Sequence, residues 1–224
     1  MQLAFRTISL FFWLYLNKSE PITMKILFFV IISIFAILIG AYPIMYAFVD
    51  QKNTFLHSKS PELLGHIVYK IAFFAHITFG GISLFIGWRQ FGSKFRSKYL
   101  NLHRIIGKAY VVCVTISAVC GIYIGFYANG NPVSAMGFIC LGLTWLLTTL
   151  IAVVQIRKGE VNKHQQLMTY SFACTFAAVT LRLWFPLLIQ ITKDAAGSYI
   201  VVAWLCWIPN LFVAALINKV KLSR

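Results

Sequence analysis

Three histidines and one arginine hold most of the chemical potential of this chain: His76, His103, His164 and Arg182. Each falls inside or at the end of a long apolar stretch, where ionisable groups are rare and mark function. At about 1.5 Å per residue, His76 lies about 18 Å from the basic end of its stretch. His103 and His164 each open another such stretch, so they share one level. Two imidazoles at one level on non-adjacent helices can bind opposite faces of a porphyrin, and imidazole suits haem iron. Gly80 and Gly107 follow His76 and His103 by about one helical turn. At Gly107 the missing side chain leaves room beside the His103 ring. Arg182 stands about five turns beyond His164, on the same face at the opposite end.

A charge inside a span normally meets a counter-charge. None of the five acidic residues (Glu20, Asp50, Glu62, Glu160, Asp194) lies mid-span. Arg182 is therefore read either as satisfied by backbone carbonyls or as the anchor of an anionic group: a haem propionate, a lipid phosphate or an acidic substrate. The histidines have plainer roles too. His76 can be neutral and bonded to a carbonyl, and His103 and His164 can contact head groups. His57 belongs to a loop, and His66 to an interface, where a pairing with Met136 is conceivable.

The elements that position these residues follow from composition. The chain is 60% hydrophobic and 11% charged, with a mean hydropathy of +0.80. A soluble domain carries about 25% charged residues, so this is an all-α polytopic membrane bundle. The net charge of +15 sits in short runs between apolar segments, which fits membrane orientation and excludes nucleic acid as a partner. The five cysteines all fall within apolar segments, without a CxxC pair, and read as small core residues.

About six spans of roughly 20 residues are expected, near 26–48, 65–88, 105–127, 133–156, 165–190 and 198–218, with the second to fifth forming a four-helix core. Residues 1–24 read as an extension or interfacial segment, and 25–224 as a single integral domain. Lys and Arg collect in the second and fourth connections and at both ends of the chain, so both termini are expected on the cytoplasmic side of an inner membrane. No nucleotide-binding glycine motif occurs.

Helical periodicity then assigns faces. Tyr69, Phe73, His76, Gly80, Ser83, Gly87 and Gln90 share one side of the second helix, and His164, Met168, Ser171, Thr175, Ala178 and Arg182 one side of the fifth. Ala109, Cys113, Ser117, Gly121 and Gly125 form a small-residue ridge on the third, suited to close helix packing within the chain or in an oligomer.

The blocks HITFGGISLFIGWRQF, LHRIIGKAYV and KHQQLMTYSFACTFAAVTLRLWFPLL resemble those of a family of bacterial multi-pass membrane proteins without an assigned function, over about residues 65–190. The bundle is also broadly similar to the transmembrane di-haem cytochromes b. That likeness implies axial histidines in cross-bundle pairs. The fourth helix has no histidine, so at most one bis-histidine site can form, from His103 and His164.

The resulting expectation is a membrane-embedded haem b protein that passes electrons to or from a quinone or a redox partner protein. His103 and His164 would be the metal ligands, with His76, Gly80, Gly107 and Arg182 around the cofactor. Two alternatives stand beside it: a transporter or lipid- and anion-binding protein, and a passive subunit of a membrane complex.

Overall fold

The structure is a computed structural model that describes residues 30, 34–46, 48, 55–91 and 93–222. The expected extension, residues 1–24, lies outside the described residues. Six helices organise the rest: α1 (Ile34–Met45), α2 (Ile67–Gly87), α3 (Leu100–Gly125), α4 (Pro132–Arg157), α5 (Val161–Thr192) and α6 (Ala195–Val220). Among the described residues there is no strand. Helices α2 to α6 are each long and apolar enough to cross a membrane, in agreement with the second to sixth expected spans. Of the first expected span, α1 is the continuous helix described, and alone it is too short to cross.

Local chemistry sets several helix boundaries. At the start of α4 the Asn131 side chain accepts from the Val133 and Ser134 amides at 3.0 and 3.3 Å. The Asn131 amide donates back to Ser134 Oγ at 3.3 Å, and Pro132 occupies the first turn, where its missing N–H costs nothing. Gly159 (φ 80°) reverses the chain between α4 and α5, a conformation in which glycine has no steric penalty. The α5–α6 turn places Lys193 at φ 57° instead.

Helices α2, α3, α4 and α5 pack in a ring, with α3 and α5 on its diagonal; α6 covers α4 and α5, and α1 lies on α2. The four-helix core is the one expected. It forms because lipid offers no advantage to apolar packing, so close approach and polar contacts must hold the helices. A Cβ on Gly87 would lie 2.8 Å from the Phe172 ring and 2.9 Å from the Tyr110 ring, and one on Gly137 would lie 2.9 Å from the Ala203 carbonyl. Within the small-residue ridge of α3, Cys113, Ser117 and Gly125 are buried, whereas Ala109 is exposed. At this inter-helix contact Gly121 meets His76 and Gly125 meets Ile139.

A buried hydroxyl network ties the diagonal helices together. Tyr110 Oη bonds Ser171 Oγ at 2.9 Å and Thr175 Oγ1 at 2.8 Å, and Ser171 Oγ bonds Thr149 Oγ1 at 2.7 Å. The α2–α3 and α4–α5 connections and the end of α6 share one end of the bundle and carry its Lys and Arg clusters. We call it the basic end and the other the neutral end.

Candidate functional site

A cavity of about 350 Å³ occupies the neutral half of the bundle. Its lining includes Gly80, Gly121, Trp145 and Thr175 from the four core helices, and Tyr42, Tyr46, Tyr69 and Phe73. Three basic side chains line it: His76 from α2, Arg182 from α5, and Lys59 from the connection between α1 and α2. Among the described residues no carboxylate lines it.

Arg182 is held from two sides. One Nη1 N–H donates to the Ala178 carbonyl, one turn back on α5, at 2.8 Å. The guanidinium lies over the Tyr42 ring, with Cζ 4.3 Å from the centroid. Among the described residues no acidic group is paired with it: the ion pair there is the solvated Lys163–Glu160 contact at 3.6 Å. The Ala178 carbonyl is the backbone partner anticipated for Arg182, and the ring of Tyr42 is an additional one.

His76 and Arg182 line the same cavity from α2 and α5. His76 Nδ1 lies 2.9 Å from the Ser117 carbonyl. A carbonyl can only accept, so Nδ1 carries the proton. In the neutral ring Nε2 then offers a lone pair, and it bonds nothing among the described residues. Ser117 Oγ in turn donates to the His76 carbonyl at 2.8 Å. Gly80 belongs to this site: a Cβ there would stand 3.0 Å from Ser117 Oγ, so the small residue keeps α2 and α3 close beneath the cavity.

Lys59 lines the cavity on its neutral-end side. Its ammonium donates to the Tyr127 carbonyl and, at 2.6 Å, to Asn129 Oδ1. Asn129 Nδ2 donates to Ser58 Oγ at 2.8 Å, stitching the same two connections. Burial pushes the Lys59 amine down to about 8.

His103 and His164 lie at the basic end, near the starts of α3 and α5. His164 Nδ1 donates to the Ala152 carbonyl at 2.9 Å, and its Nε2 bonds nothing among the described residues. His103 Nδ1 is buried without a hydrogen-bond partner among the described residues. A Cβ placed on Gly107 would have none of the described residues within 4 Å, so none of them requires its lack of a side chain. Neither His103 nor His164 lines the cavity. Arg182 stands about 27 Å from His164 along α5, too far for one porphyrin to engage both.

The expected residues therefore divide into two groups, His76 with Gly80 and Arg182, and His103 with His164. His66 lines a groove with Ser60, Leu63, Val68, Tyr123 and Tyr127, and Met136 is not part of that lining. Lys59 and Tyr42 were not singled out from the sequence. Lys59 read as one charge in a balanced connection, and no local pattern ties a tyrosine in the first span to an arginine in the fifth. The absence of a mid-span carboxylate was the available signal that Arg182 needed another kind of partner.

No curated protein and no solved structure matches the chain. Residues 73–218 match the family described as "Predicted membrane protein (DUF2306)", a stretch that includes His76, His103, His164 and Arg182 and leaves out α1 and Lys59. The chain belongs to this membrane-protein family.

Proposed function

We propose that this protein binds an organic anion in the neutral half of its bundle, as a transporter or lipid-handling protein of the inner membrane. The observation that carries the reading is Arg182, a cation on a cavity wall with no carboxylate beside it among the described residues. An arginine at a span centre costs about 2.5–3.5 kcal/mol on insertion scales, an upper bound for Arg182, which lies nearer the neutral end of α5. A hydrogen bond to a charged group returns about 1.5–3 kcal/mol, and a desolvated cation–π contact about 2 kcal/mol. Arg182 is thus tolerated in the empty bundle while N–H donors remain for a ligand. A phosphate or carboxylate would take them as a bidentate pair.

The positive-inside rule puts the basic end and both termini in the cytoplasm. The cavity then lies in the opposite half of the membrane, with Lys59 in its lining. Thermal unfolding of the purified protein in neutral detergent tests this. Phenyl phosphate should raise the Tm saturably, phenol should not, and Arg182→Gln should abolish the response without lowering the ligand-free Tm by more than a few degrees. An equal shift in the Arg182→Gln protein would overturn the proposal.

A second reading concerns the basic end, where one observation favours haem b. His164 is oriented by a carbonyl on Nδ1 while its Nε2 bonds nothing among the described residues, the arrangement of metal-ligating histidines. His103, on the diagonal helix, has a buried ring nitrogen without a hydrogen-bond partner among the described residues. These two residues would hold the haem, which would supply one-electron transfer to a quinone or a redox protein. The chain's own contribution is the ring orientation fixed at Ala152. A reduced-minus-oxidised spectrum of material expressed with haem supply should show a b-type signal that His164→Ala and His103→Ala remove and Arg182→Gln retains. A flat spectrum would end this reading.

A further inference from the structure

We infer that the anion bound in the cavity is the head of a membrane-resident phosphomonoester lipid, which enters sideways past α1; this rests on the anion-binding reading above. Three observations lead there.

The first is the pairing of donor and acceptor. Arg182 has N–H donors to give, whereas neutral His76, its Nδ1 proton already committed to Ser117, has only the Nε2 lone pair. A singly protonated phosphate monoester satisfies both at once: its anionic oxygens accept from Arg182 and its P–OH donates to Nε2. A carboxylate or a phosphodiester has no such proton on the group itself.

The second is size and polarity. The cavity's volume of about 350 Å³ equals that of roughly a dozen waters. That holds a head group and a short length of chain. A full lipid needs its tails elsewhere, and the surrounding bilayer is the place for them.

The third is α1. It forms one wall through Ile39, Tyr42, Pro43 and Tyr46. Its middle is pinned to α2 by glycine: a Cβ on Gly81 would lie 2.5 Å from the Gly40 carbonyl. Ala36 is packed with Leu84 and Val179. Beyond Gly40 the attachment changes. The turn Tyr42–Met45 has no buried residue, and Ile44 and Met45 are exposed on its far side. Its contacts include Pro43 Cγ at 3.2 Å from a Cβ placed on Gly81, the edges of Tyr46 on Phe73 and Phe74 at 5.6 and 6.0 Å between centroids, and the Tyr42 contact to Arg182. Tyr42 and Tyr46 stand between Arg182 and the exposed side of this turn, and its movement about the Gly40–Gly81 crossing would connect Arg182 to lipid.

The test uses the full chain in nanodiscs of zwitterionic lipid, with three probes: dioleoyl phosphatidic acid, the phosphodiester phosphatidylmethanol with the same chains, and soluble glycerol 3-phosphate. Phosphatidic acid at a few mole per cent should raise the Tm by several degrees, with little effect from the other two. A diazirine placed near the head group of phosphatidic acid should label Tyr42–Tyr46, and unlabelled phosphatidic acid should compete the adduct away. Equal stabilisation by phosphatidylmethanol overturns the phosphomonoester assignment. Stabilisation by glycerol 3-phosphate at least as large as by phosphatidic acid overturns the lipid assignment and leaves the anion site standing. No stabilisation by any probe, phenyl phosphate included, overturns both. If Arg182→Gln fails to fold, Arg182→Lys replaces it: it keeps the charge but loses the fork, so labelling should fall several-fold, and undiminished labelling contradicts the assignment.

Discussion

Lys59 and Arg182 meet the cost of burying a cation in different ways. Arg182 keeps its charge, because guanidinium does not deprotonate in proteins, and spreads it over a carbonyl and an aromatic face. Lys59 can instead lose its proton, and burial pushes the amine from 10.5 down to about 8. The native state therefore releases this proton near pH 8, while the unfolded chain keeps it until about 10.5. Between these values the unfolded state binds more protons, so this group makes stability rise with pH; below about 8 its contribution is flat. The difference in Tm between wild type and Lys59→Met should shift in favour of wild type as pH rises from 8 to 10. A difference that stays constant or reverses across that window contradicts the burial of the ammonium.

At the scale of elements, the diagonal α3–α5 contact adds hydroxyls to an apolar cluster that includes Val114 and Ala118 of α3 and Cys174 of α5. Tyr110 reaches both Ser171 and Thr175, and Thr149 completes the network from α4. In a membrane such interhelical bonds average about 0.6 kcal/mol and reach about 1.7 kcal/mol. Ser171 keeps Thr149, and Thr175 keeps the Ser171 carbonyl at 3.1 Å, when Tyr110 loses its oxygen. Tyr110→Phe should accordingly cost about 0.6–1.7 kcal/mol in reversible unfolding. A loss above about 3 kcal/mol would mean that the remaining hydroxyls cannot satisfy each other.

Over the whole molecule, the parts of the fold set by composition and period were readable in advance. Helices α2 to α6 announce themselves by apolar length, and the inward faces of α2 and α5 by small and polar residues at helical spacing. Ser171, Thr175, Ser83 and Gly87 are buried where that spacing puts them. Depth along a helix was readable as well, and it separates Arg182 from His164. What periodicity cannot express is which face meets which across the bundle. The cavity is lined by Tyr42 from α1, Lys59 from a connection and Arg182 from α5, residues from separate elements that come together only when the helices pack. The same limit applies to His103 and His164, whose shared level was legible and whose hydrogen bonding was not.

The central claim is that Arg182 waits for an anion, and direct titration addresses it. Isothermal calorimetry of the purified wild-type protein with phenyl phosphate should give a saturable, single-site isotherm. Arg182→Gln, at unchanged helicity and ligand-free Tm, should give heats no larger than dilution. Wild-type heats indistinguishable from dilution across the accessible concentration range, or an isotherm preserved in Arg182→Gln, would contradict the account.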